Sequence, residues 1–144
     1  MNLGAHLSYL EAEFSAAKAA PLSSRKATLV AMLIDAYADR LFAAQDDVDD
    51  ILVFRETLAV QSPALGHILA LASHRPNGPH LVTEAVEVPL DEYVKLSVED
   101  FMVSLYNGQT VQRVRLVLPD GSRLAIHEVL AEAIAAVRAF VPSE

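Results

Sequence analysis

The chain has 144 residues, a net charge of −8 and no cysteine, which fits one domain spanning residues 1–144 and excludes thiol redox chemistry, cysteine-bound zinc and iron–sulfur clusters. An acidic domain lacks the basic face that counterion release requires, so we expect no nucleic-acid partner. The apolar fraction of 53% is high, so the chain must bury nearly all of its large side chains or expose a patch for a partner.

The most apolar segment, residues 27–44, does not predict a membrane span. Asp35 and Asp39 interrupt it, and a spanning helix needs about 20 predominantly apolar residues. The N-terminus carries Glu11 and Glu13 and no early basic residue, which is not typical of a signal peptide. We therefore expect a cytoplasmic protein without a membrane partner.

The first half of the chain, residues 1–73, predicts four helices from the helical spacing of its apolar residues. They cover about 2–20, 25–44, 48–61 and 63–73. The second of these is apolar over most of its circumference. Such a helix is buried on more than one side or continues into a subunit interface.

A loop of seven residues, 74–80, contains two prolines and an Asn-Gly pair and separates the helical half from a mixed half, residues 81–144. Alternating residues predict strands at 81–88 and 110–118. A turn at residues 119–121 then leads into a hairpin partner.

The hairpin partner is expected to include Leu124 and Ile126, and a helix over 127–140 closes the chain. Residues 98–106 allow two interpretations. Ser97 to Asp100 resembles a capping box and favours a short helix closed by Asn107-Gly108, whereas the alternative is a strand paired with the next strand along the chain. The predicted class is α+β, with a helical half packed with a sheet of about three strands and a C-terminal helix.

An acidic string precedes the third helix. Asp46-Asp47-Val48-Asp49-Asp50 formally resembles the DDxxD motif of isoprenoid synthases, in which carboxylates hold magnesium bound to diphosphate. No second Asp-rich motif accompanies it. We interpret the string as the start of a helix, where carboxylates are stabilised by the helix dipole.

Histidines flank the loop and suggest a site there. His74, Arg75 and His80 form a candidate ligand-binding group, and His74 and His80 with a carboxylate would give a metal site if they converged. The spacing does not force convergence, so no metal or other cofactor is predicted. His6 lies in the first predicted helix, and His127, at the junction of a strand and a helix, is interpreted as a capping residue.

Two arginines share one face of the clearest strand. Arg113 and Arg115 would clamp an anion, or would pair with neighbouring-strand carboxylates such as Glu84 or Glu87. The second interpretation is the simpler one.

The sequence carries no nucleophile elbow and no glycine-rich phosphate loop. We therefore expect a non-enzymatic interaction protein that self-associates as a homodimer or higher oligomer. A second hypothesis is a small-ligand- or metal-binding domain, or an enzyme, with its site near residues 74–80. A third, suggested by net charge alone, is an acidic adaptor for a basic protein partner.

Overall fold

A computed structural model describes residues 2–45, 50–88, 96–106 and 110–140. These residues form six α-helices and one three-stranded antiparallel sheet, which confirms the predicted α+β class. The helices are α1 (Leu3–Ala19), α2 (Ser24–Ala43), α3 (Ile51–Gln61), α4 (Pro63–Ala72), α5 (Val98–Tyr106) and α6 (Ile126–Ala139). The strands are β1 (His80–Glu87), β2 (Thr110–Val117) and β3 (Arg123–Ala125).

The first four helices begin at residues whose side chains accept a backbone N–H from the first turn. Asn2, Ser23, Asp50 and Ser62 occupy these positions before α1, α2, α3 and α4. Each such cap contributes about 1 kcal/mol by satisfying a donor that the helix itself leaves unpaired. Asp50 confirms the acidic start of α3, and the remainder of that string, residues 46–49, lies outside the described residues.

The sheet has the order β1-β2-β3, with β1 and β2 paired along their full length. Leu81 faces Leu116 across this pair, on the side that joins the core, and Glu84 faces Arg113 on the other side. Between β1 and β2 in the chain, residues 98–106 form a helix, as the capping pattern predicts. The backbone N–H of Asp100 donates to Ser97 Oγ, which is the hydrogen bond expected of that cap. The proposed closing residues Asn107 and Gly108 lie outside the described residues.

The hairpin is shorter than the alternation of residues predicts. β3 ends at Ala125, and Ile126 is already the first residue of α6, where it is fully buried. The expectation that Ile126 extends the strand is therefore wrong, because burial in the core is equally satisfied by a helical residue at this junction. No side chain caps α6, so the capping role expected of His127 is also wrong.

Two helices, α2 and α6, contribute more buried residues to the core than any other described element. α2 contacts α1, α3, α4, α6 and β1, while α6 contacts α1, α2, α4, β2 and β3. The broad apolar circumference of α2 is thus mostly buried within one chain, with Val30, Ile34 and Leu41 fully enclosed. Its outward side nevertheless retains two large exposed apolar residues, Leu29 and Met32.

The helices α3 and α4 approach each other closely at Gly66. A Cβ atom at this position would lie 2.9 Å from Ala59 Cβ and 3.3 Å from Ala59 Cα. Ala59 has no flexible side chain that could move aside, so the absence of a side chain at position 66 allows the contact.

We predict that Gly66→Ala lowers the free energy of unfolding by about 1–3 kcal/mol through overpacking. This loss outweighs the gain of about 1 kcal/mol that alanine brings to a helix interior. Urea denaturation measures it, with Gly4→Ala in α1 as the control, because a Cβ there meets only Asn2 Oδ1, at 3.6 Å. The double variant Gly66→Ala/Ala59→Gly should recover stability, and unchanged stability in Gly66→Ala alone would contradict the close approach.

Candidate functional site

A groove of about 870 Å³ opens between α3, α4 and the loop that follows α4. Its side chains are largely apolar. The apolar ones are Leu52 and Ala59 from α3, Leu69 and Ala70 from α4, the prolines Pro76 and Pro79 from the loop, and Pro119 from the β2–β3 turn. The polar lining residues are Arg55, Glu56, Ser73, Arg75 and Asn77. We call this the α3–α4 groove. The groove lies beside the loop for which the sequence analysis predicts a site, and that site remains a prediction.

The path of the loop is set where α4 ends. Ser73 closes the helix, and His74 adopts a left-handed backbone conformation with φ of 52°. Non-glycine residues pay about 1 kcal/mol or more for this conformation, which reverses the chain direction after a helix. The backbone of His74 therefore turns residues 75–79 back along α3 and α4 to line the groove.

Only one of the three candidate loop residues lines the groove. Arg75 does so, while His74 has an exposed side chain outside it and His80 is an exposed residue at the start of β1, paired with Val117. Across the described ranges, no three or more histidine or carboxylate side chains come close enough together to hold a metal ion. The structure thus separates the two histidines from the groove and leaves Arg75 as the candidate binding residue.

The two arginines of the groove differ in their pairing. Arg55 donates to Asp35 Oδ1 at 2.7 Å and to Asp39 Oδ1 at 2.6 Å. Burial lowers the pKa of Arg55, but the hydrogen bonds to Asp39 and Asp35 outweigh it, so the pKa is raised. Arg75 is exposed and makes no ion pair within the described part of the chain, so its charge remains available to a ligand.

The strand arginines lie among carboxylates. Arg113 Nη2 is 3.0 Å from Asp100 Oδ2 of α5, and Arg115 Nε is 3.8 Å from Glu84 Oε1. Glu84 also pairs with Arg123 of β3. Acidic side chains thus already neighbour both arginines, and an anion clamp here remains a prediction that would have to compete with them.

Sequence reasoning missed a buried histidine. His6 is 5% exposed, its Nε2 lies 3.1 Å from the Leu33 carbonyl oxygen, and its ring meets Tyr37 edge-on at 5.3 Å. It joins α1 to α2. The spacing of Leu3, His6 and Leu10 carried the signal, because residues three and four apart share a helix face.

His127 is half-buried near the end of α1. Burial lowers its pKa, the positive charges of Arg113 and Lys18 lower it further, and a hydrogen bond to the Ala17 backbone opposes them. Its Nε2 is buried without a hydrogen-bond partner among the described residues. The folded protein therefore favours the neutral ring.

We predict that His127 makes the fold less stable in mild acid. Its folded pKa lies below the unfolded value of about 6.5, so the unfolded chain binds the proton first. The stabilisation is complete above about pH 6.5 and is lost as the pH falls through the folded pKa. Chemical denaturation at about pH 7.5 and 5.5 should show a smaller loss in His127→Gln than in the wild type. Equal losses in both proteins would exclude His127 as the cause.

No helix of the described residues combines the length and apolar character needed to cross a bilayer. Comparison with protein-family models, with curated proteins and with solved structures returns no match.

Proposed function

We propose that the protein is a non-enzymatic interaction protein that self-associates through the outward side of α1 and α2. The observation that carries this proposal is a row of exposed apolar side chains on α2, the helix whose other sides supply much of the core. We call this surface, made of Tyr9, Leu29, Met32 and Ala36, the α1–α2 face.

The row on α2 results from helical spacing. Leu29, Met32 and Ala36 are three and four residues apart, so they lie on one side of the helix. Leu29 is 39% exposed and Met32 is 50% exposed. Exposed apolar residues that form a contiguous surface mark sites of protein association.

α1 borders this surface at Glu13, which lines a shallow depression together with Arg25, Leu29 and Met32. The two helices are joined by a short connection, and His6 contacts the Leu33 carbonyl, so α1 runs antiparallel beside α2. Tyr9, three residues after His6 on α1, is 46% exposed. Apolar side chains are also exposed on α3 and α5, and α1 and α2 are the longest described helices.

This proposal predicts a solution mass above the 15.6 kDa of one chain, measured by light scattering over a wide range of concentration. Met32→Glu should weaken association about tenfold or more, because it places a charge in a desolvated contact. Val60→Glu is the matched control, since Val60 is 83% exposed on α3 and the change adds the same charge away from the face. A wild-type monomer at every concentration would overturn the proposal.

A second candidate function is binding of an apolar, anionic small molecule in the α3–α4 groove. It is supported by apolar lining residues beside Arg75, whose charge has no ion-pair partner within the described residues. Glu56 lines the same groove, so Arg75 would have to hold the anion against the charge of that carboxylate. Pockets that bind small molecules characteristically combine apolar walls with a few polar groups that fix orientation.

The groove can be tested with the fluorescent probe 1-anilinonaphthalene-8-sulfonate, an apolar ring system carrying one anion. Arg75→Gln should weaken its binding several-fold, because the sulfonate loses a charge-assisted hydrogen bond. Lys18→Gln removes the same charge on α1, far along the chain from the groove residues, and should leave binding unchanged. Equal effects of both substitutions would indicate only a response to net charge.

A further inference from the structure

We infer that the second copy binds the α1–α2 face in one register: two α2 helices pack antiparallel about a two-fold axis at Met32, with Arg25 of each copy beside Asp39 of the other. This inference rests on the proposed self-association and specifies its geometry.

The charges on α2 are placed symmetrically about Met32. Arg25 lies seven residues before Met32 and Asp39 lies seven residues after it. Seven residues are close to two helical turns, so all three project to the same side, with each charge about 10 Å from the centre. All three side chains are exposed.

With a two-fold axis at Met32, this spacing makes the charges of two α2 helices complementary. In an antiparallel pair centred there, each Arg25 faces an Asp39, giving two opposite-charge contacts, and the apolar side chains Leu29, Met32 and Ala36 fill the space between them. An isologous interface requires that a surface complement itself under such rotation. A parallel pair in register would instead place Arg25 against Arg25 and Asp39 against Asp39, which like-charge repulsion disfavours.

Both charged groups are available to a partner. Arg25 makes no ion pair with the described residues. Asp39 accepts from Arg55 Nη2 at 2.6 Å, yet 54% of its side chain remains exposed. The contact with Arg55 holds the carboxylate at the edge of α2, where a second arginine can approach it.

The size of the surface fits a weak dimer. α1 and α2 have 17 and 20 residues, which correspond to lengths of about 26 and 30 Å. Two such helices side by side, about 9 Å apart, cover on the order of 500–600 Å². This is somewhat below the roughly 800 Å² per partner of standard interfaces, so we expect a dimer that dissociates on dilution.

Charge reversal tests the register. R25E and D39K should each weaken dimerisation about tenfold or more, measured by sedimentation with circular dichroism as a check on folding. The double variant R25E/D39K should recover dimerisation, because the opposite charges are exchanged. D39K also removes the ion pair between Asp39 and Arg55 within one chain. That pair is absent from the double variant too, so its loss cannot explain a recovery of dimerisation.

A mixture of the two single variants provides the sharper result. R25E and D39K should associate with each other more tightly than either does with itself, since both cross-contacts then join opposite charges. Dimers unaffected by the single changes, or no recovery in the double variant and the mixture, would overturn the register while leaving self-association in place. A wild-type monomer would overturn both proposals.

Discussion

The burial of α6 against helices from the other end of the chain is the interaction on which the rest of the fold depends. Leu130, Ala133 and Val137 are fully buried where α6 contacts α1, α2 and α4. Full burial of a Leu or Val side chain contributes about 1.5–3 kcal/mol, and Ala133 permits close approach. The same helix contacts β2 and β3, so it joins the helical half to the sheet. Both the α3–α4 groove and the α1–α2 face are positioned by helices that α6 supports.

α2 connects this core to the proposed interface. Its inward sides contact β1 and four helices, α1, α3, α4 and α6. Its outward side carries Leu29 and Met32 between Arg25 and Asp39. Contacts within one chain therefore fix the helix independently of the proposed association. A surface presented by a rigid, well-buried helix loses little conformational freedom on association, which favours binding even when the contact area is modest.

Much of the local structure can be predicted from sequence. Asn2, Ser23, Asp50 and Ser62 have the short polar side chains that start helices, and the four predicted N-terminal helices are present within a few residues of their expected limits. The strands and the short helix α5 are similarly predicted by alternation and a capping pattern. The prediction failed at Ile126, where β3 ends and α6 begins, because an apolar residue at such a junction is buried equally well in a strand or in a helix.

Local patterns in the sequence predict the helices, the strands, the α+β class and the loop at residues 74–80, because capping and periodicity act over a few neighbouring residues. Only the tertiary structure decided which side chains share a surface. It put Arg75 in the groove, excluded His74 and His80 from it, set Arg113 beside Asp100, and buried His6 against α2. It also decided that most of the apolar surface of α2 is covered within one chain. These outcomes depend on the packing of residues far apart in the sequence, and no local pattern encodes that packing.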